Sequence, residues 1–249
     1  MADAVAVCAG VARMEGVRYS GAILNESGFD WARDTGLHEL TTVVVATDTF
    51  SLKNQGMSTS ASADCWGRIA ALARKEGFRK SVTIAAAFGC PYEGDVSLDR
   101  LAEVIAAVAV GDPDDIVIVD TIGVGVPSQV DDVIGTIRAI SPGVKLRGRF
   151  HNTRNTAAAN VMAAFGAGVT AFDSSIGGIG GCPFAPGATG NVATEDLVYL
   201  FDRMGVETGL SLEALIAMGP WFEAKLGHET AGRLSKPGVF PGQLSGRPA

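Results

Sequence analysis

Short runs of consecutive apolar residues alternate along this chain with longer stretches whose apolar residues recur at helical spacing. The short runs predict strands over Val17–Leu24, Leu40–Ala46, Lys80–Ala87, Asp115–Asp120, Val144–Phe150 and Val169–Ser174. The longer stretches predict helices over Ala4–Met14, Glu26–Thr35, Ser62–Glu76, Ser97–Val110, Gln129–Ile140, Asn155–Phe165, Thr194–Met204 and Ser211–Leu226. Ser97, in Ser97-Leu98-Asp99, and Thr194, in Thr194-Glu195-Asp196, stand where helix N-caps are expected. The strand runs are continuous rather than alternating, which marks a parallel sheet covered on both faces.

Strand–helix alternation resolves into an open doubly wound sheet or a closed barrel. A Gly-rich nucleotide turn after the first strand is missing, which lowers the first solution. The reading is therefore an incomplete parallel (β/α) TIM-type barrel, short of its first units by about two. The predicted domain runs over 1–235. Pro237, Gly238, Pro241, Gly242 and Pro248 predict a flexible tail over 236–249. Missing units leave open sheet edges, so a second copy or the tail is expected to cover them, giving a homo-oligomer, a dimer.

Of the 249 residues, 47% are hydrophobic and 19% charged, enough for a large core. The net charge of −7, with no basic run, argues against a nucleic-acid partner. No apolar run has membrane-span length, the first residues lack a basic leader, and the four cysteines form no C-x-x-C pair. These features predict a cytoplasmic protein with no membrane partner and no disulfide framework.

Polar residues cluster at the predicted strand ends: Asn25, Asp48, Cys90, Asp120, His151 and Ser174. Ligands bind at that end in both solutions. The densest signal is the Gly-rich run Ser174–Asn191, with Cys182 at its centre. Such a loop can close over a substrate and present backbone N–H groups, and Cys182 is placed as a catalytic or gating thiol. Arg149 and His151 are two apart on one strand and so share a face. His151 reads as a metal ligand or an acid–base group. Asp120 precedes the turn Thr121–Gly125 and reads as an active-site carboxylate or as a turn and capping residue. Lys53 and Asn54 follow Asp48 in a predicted loop, placed to meet a phosphate or acyl-CoA, or simply solvated. Cys90, beside Pro91 and Gly94, reads as structural.

These segments resemble the hydroxymethylglutaryl-CoA lyase family, from Met1 to about Leu226. The resemblance is carried by Phe50–Asn54, Gly89–Gly94, Asp120–Gly125, the run from Gly180 to Asn191, and Asn191–Tyr199. It implies retro-Claisen cleavage of 3-hydroxy-3-methylglutaryl-CoA to acetyl-CoA and acetoacetate, with Mg²⁺ or Mn²⁺ polarising the substrate oxygens. By resemblance, His151 matches the second His of a His-x-His metal pair and Asn191 an Asn ligand. Cys182 matches the mobile-loop thiol and Asp120 an active-site Asp. Arg149 stands where the first His should be, and a guanidinium has no lone pair for a cation. The family's first-strand Arg-Asp pair and second-strand Glu have no counterpart after Met1. The sequence thus allows a lyase lacking its front, a non-catalytic paralogue that binds an acyl-CoA or a partner subunit, or a related metal aldolase. It predicts weak Mg²⁺ or Mn²⁺ binding and slow or absent turnover.

Overall fold

The computed structural model describes residues 3–181, 184, 187 and 190–240. In chain order the elements are α1 (Ala4–Gly10), β1 (Ser20–Ile23), α2 (Glu26–Ala32), β2 (Glu39–Val45), α3 (Asp48–Gln55), α4 (Thr59–Glu76), β3 (Arg79–Ala85), β4 (Gly89–Cys90) and β5 (Gly94–Asp95). There follow α5 (Leu98–Ala109), β6 (Asp115–Asp120), α6 (Pro127–Ile140), β7 (Lys145–Phe150), α7 (Ala157–Gly166), β8 (Ala171–Asp173), α8 (Thr194–Arg203) and α9 (Leu212–Leu226).

The six predicted strands pair in the order β1-β2-β3-β6-β7-β8, every pairing parallel. Helices fill the crossovers, as parallel neighbours require. Two elements depart from the sequence reading. The segment after β2 is the helix α3, and the turn at Cys90 is a small antiparallel hairpin, β4–β5. Helix α4 starts earlier than its apolar pattern, because Ser58 accepts the N–H of Ala61 as an N-cap. It ends at Gly77, whose φ of 79° is left-handed and costs a glycine little.

One face of the sheet is apolar. Val44, Val82, Ile84, Ile116, Ile118 and Phe150 point to the helices and pack against Trp66, Leu101, Ile105, Val130, Ile134 and Val161. Trp66 is fully buried, and its Nε1 donates to the carbonyl of Val108 at 2.7 Å. Replacing Trp66 with alanine is expected to lower stability by about 3–5 kcal/mol, read by denaturant unfolding.

The other face is mixed: buried Val45, Val117 and Val119 lie on it, and a polar row crosses it at the strand starts. Ser20, Thr41 and Ser81 link hydroxyl to hydroxyl across β1, β2 and β3. Glu39, 1% exposed, lies within 3.3 Å of Arg79 and 3.0 Å of Arg147. Arg79 and Arg147 also hold Asp115. Seen from the sequence, Val and Thr neighbours mask this inward row.

Beyond β8 the chain returns to the sheet: Ser175 N–H donates to the Val192 carbonyl and Thr194 N–H to that of Ser175. At the opposite edge β1 has β2 alone as a strand neighbour among the described residues. Lys236 pairs with Glu229, and Arg203 lies over the Phe240 ring at 5.3 Å; 241–249 of the predicted tail lie outside the described residues. No described helix is long and apolar enough to cross a membrane.

Candidate active site

The mixed face ends, at the carboxyl side of β7 and β8, in Arg149, His151 and Asp173. Register fixes which residues look the same way. Arg149 pairs with Val119 on β6 and Asp173 on β8, whereas Asp120 pairs with Phe150 of the apolar core. Arg149 and Asp173 therefore share the inner face, and Asp120 looks towards the helices.

Asp120 is fully buried and accepts the N–H groups of Val124 at 3.0 Å and Gly125 at 2.8 Å. Burial pushes its carboxyl above the ordinary range, against the pull of those N–H groups. Of the two readings left open by the sequence, this geometry favours the turn. It shapes the loop that lies against β7, where a Cβ on Gly123 would meet the His151 carbonyl at 2.9 Å.

The Arg149 guanidinium grips Asp173 Oδ2 through Nε at 3.2 Å and Nη2 at 2.8 Å. Arg147 approaches the other carboxylate oxygen at 3.8 Å. His151, 6% exposed, has a buried Nδ1 with no hydrogen-bond partner among the described residues. Its pKa is pushed down to about 4 by burial first and by the charge of Arg149 second, so the imidazole is neutral at physiological pH. Asn191 forms a backbone bridge with His151, and its Nδ2 donates to the Ile179 carbonyl at 3.2 Å.

Lys53 and Asn54 lie on α3 rather than in the predicted loop. That helix has Asp48 in its first turn and Lys53 in its last, which suits the helix dipole. Asp48 also accepts the N–H of Thr59 at 2.8 Å, tying α3 to α4. Lys53 Nζ sits 5.2 Å from the Tyr92 ring centre, and the Tyr92 hydroxyl donates to the Phe184 carbonyl at 2.6 Å. The Gly-rich run is thereby joined to the hairpin and α3. Cys90 is buried, its Sγ accepting from Thr47 Oγ1 at 3.0 Å, in keeping with a structural role. Cys182 lies outside the described residues. The root of its loop is set by Glu195, whose two carboxylate oxygens both take the Gly177 N–H at 3.1 Å.

The structure thus brings Arg149, His151 and Asn191 together and places Lys53 and Asn54 on α3, with Lys53 beside Tyr92. Asp173, Arg147, Glu195 and Tyr92 were not singled out from the sequence. Asp173 stands just before the predicted loop, and its acidic character at a strand end was the signal available.

The family model HMGL-like matches residues 2–220. The chain belongs to the HMGL-like family. Among family members it is 41% identical over 233 residues to (R)-citramalyl-CoA lyase of Chloroflexus aurantiacus, covering 93% of this chain and 73% of that protein. It is 36% identical over 225 residues to a hydroxymethylglutaryl-CoA lyase of Bacillus subtilis, covering 90% and 75%. The structure of hydroxymethylglutaryl-CoA lyase from Pseudomonas aeruginosa superposes with a TM-score of 0.88 at 35% identity, covering 95% of this chain and 79% of that one. The HMGL-like fold is therefore this chain's fold, of which it spans about three quarters of the relatives' length.

An HMGL-like chain implies a divalent metal, and the described residues do not fit one. No three His, Cys, Asp or Glu side chains converge among them. His151 offers one ring nitrogen, and Asn191 is neutral. The neighbouring carboxylate, Asp173, is held by two guanidinium groups. Hard cations of this class take carboxylate oxygen, and a fixed positive charge beside the site opposes them.

Proposed function

We propose that this HMGL-like chain is a carbon–carbon lyase acting on acyl-CoA thioesters whose acyl group carries a β-hydroxyl and a carboxylate. The observation that carries the reading is the match to acyl-CoA lyases over segments that include the whole strand-end face. A structural neighbour from Acinetobacter baumannii, described as an HMG-CoA lyase in complex with coenzyme A and 3-methylmalate, supports an acyl-CoA ligand. Its TM-score is 0.90 at 34% identity, covering 99% of this chain and 80% of that one.

In the reaction, neutral His151 accepts the proton of the substrate's hydroxyl. The oxygen then forms a C=O double bond while the adjacent carbon–carbon bond breaks. That bond's electron pair moves onto the thioester as an enolate, which takes a proton to give acetyl-CoA. Cys182 is proposed as the donor, regaining its proton from His151 through solvent. Lys53 and Asn54 are proposed to face the coenzyme, and Asp120 to hold the turn beneath His151. Incubation with 3-hydroxy-3-methylglutaryl-CoA and with citramalyl-CoA should release acetyl-CoA from at least one. Release from neither would overturn the lyase reading and favour a binding paralogue.

Limiting iodoacetamide should label Cys182 before Cys65 and Cys90. Cys65 is buried and its thiol is pushed up by burial and by Glu26, and Cys90 is buried against Thr47. First labelling at Cys65 or Cys90, read by peptide mass spectrometry, would refute the assignment.

A homodimer is proposed at the β1 edge. Val5, Val7, Leu24 and Trp31 line a cavity of about 600 Å³ there, and Trp31 is 69% exposed. Sedimentation velocity should show twice the chain mass; a monomer that binds no apolar dye contradicts it.

A further inference from the structure

The outermost charged pair on the mixed face, Arg149 with Asp173, is left without a task by the steps above. We infer that Arg149 is the anchor for the substrate's carboxylate, and that this site takes its anionic ligand without a divalent cation. The identity of the ligand rests on the lyase reading; the anchor itself does not.

A guanidinium carries five N–H donors arranged as two bidentate edges. Asp173 Oδ2 occupies the edge made by Nε and Nη2. That contact fixes the plane of the group. The other edge, Nη1 with the second Nη2 proton, has no hydrogen-bond partner among the described residues, and the side chain is 38% exposed. A carboxylate meets such an edge with two parallel hydrogen bonds, which a lysine cannot reproduce.

The surroundings favour an anion over a cation. Arg147 stands behind Asp173 and shares its charge, so Asp173 is already partnered from two sides. His151, two residues on, brings no negative charge. A dication at His151 would lie beside a group that keeps its proton and has no lone pair.

Calorimetry with 3-methylmalate, a hydroxy-dicarboxylate, tests this on the whole chain in EDTA and again in excess Mn²⁺. Wild type should bind in EDTA with an affinity that Mn²⁺ leaves unchanged. R149A should weaken binding about 10–100-fold, the scale of a lost charge-assisted pair, and R149K should fall between. Thermal melts show whether R149A folds, and R149K carries the test if it does not. No heat with wild type, binding that requires Mn²⁺, wild-type affinity in R149A, or wild-type affinity in R149K should R149A not fold, would each overturn the anchor. Acetyl-CoA release that depends on Mn²⁺ would overturn it too, while leaving the lyase reading intact. Binding without acetyl-CoA release would do the reverse.

Discussion

Replacing Glu39 with alanine is expected to lower the unfolding free energy by about 3–5 kcal/mol, the largest stability effect foreseen for a polar residue of this chain. Glu39 is 1% exposed at the start of β2. Its carboxylate meets Arg147 at 3.0 Å and Arg79 at 3.3 Å, and accepts from Ser20 at 3.2 Å and Ser81 at 3.1 Å. Removing it leaves two partly buried guanidinium groups with Asp115 between them and only distant contacts, at 3.8 Å, to Asp114 and Asp173. The cost comes from leaving two buried positive charges to one close carboxylate. Urea unfolding of wild type and E39A gives the difference directly. A change below about 1 kcal/mol, the scale of exposed pairs, would mean that water compensates the network and the polar row is wetter than drawn. The double change Glu39→Met with Arg147→Met should recover part of the loss, because it removes both signs together.

His151→Ala is expected to reduce kcat by about 10²–10⁴-fold with little change in KM, the range for loss of a general base. The same residue sets a pH dependence whose sign follows from its shift. Its pKa falls from 6.5 to about 4 on folding, so the unfolded chain takes up a proton at a pH where the folded chain does not. Stability linked to His151 is therefore fully present above pH 6.5 and declines as pH falls towards 4, by about 3 kcal/mol in total. Comparing wild type with His151→Asn across that window isolates the contribution. Activity should hold from neutral pH down to about 5 and fall near 4. An acid limb centred near the ordinary imidazole value would show that His151 is solvated or not the base.

The six parallel strands and most of the helices were legible because their apolar periodicities are strong. Helix α3 was not: it buries Phe50 and Ser51 and otherwise presents Leu52, Lys53 and Asn54 without a clear stripe, so it passed for a loop. The inward polar row was hidden for a different reason. Thr41, Ser81 and Thr83 are strand-favouring or small, and they read as part of continuous runs until register showed them facing Glu39 and Arg147.

The site was legible in part. The spacing of Arg149 and His151 predicts a shared face; register sets Arg149 opposite Asp173, and His151 follows β7 in a bridge to Asn191. For Asp120 the strand parity favoured the opposite face, a consequence visible only once Phe150 was seen in the core. Asp173 and Glu195 act through distant partners, Arg149 and Gly177, and no local pattern in the chain announces such pairings.

The central claim is that an acyl-CoA lyase site operates here around a guanidinium in place of a dication. Its most direct measurement is the rate of acetyl-CoA release from 3-hydroxy-3-methylglutaryl-CoA and citramalyl-CoA by the metal-stripped chain, with EDTA in one arm and Mn²⁺ in the other. Equal rates in the two arms, both lost in R149A, are the predicted result. A rate that rises by about tenfold or more with Mn²⁺, as expected where metal ligands set the activity, would contradict it.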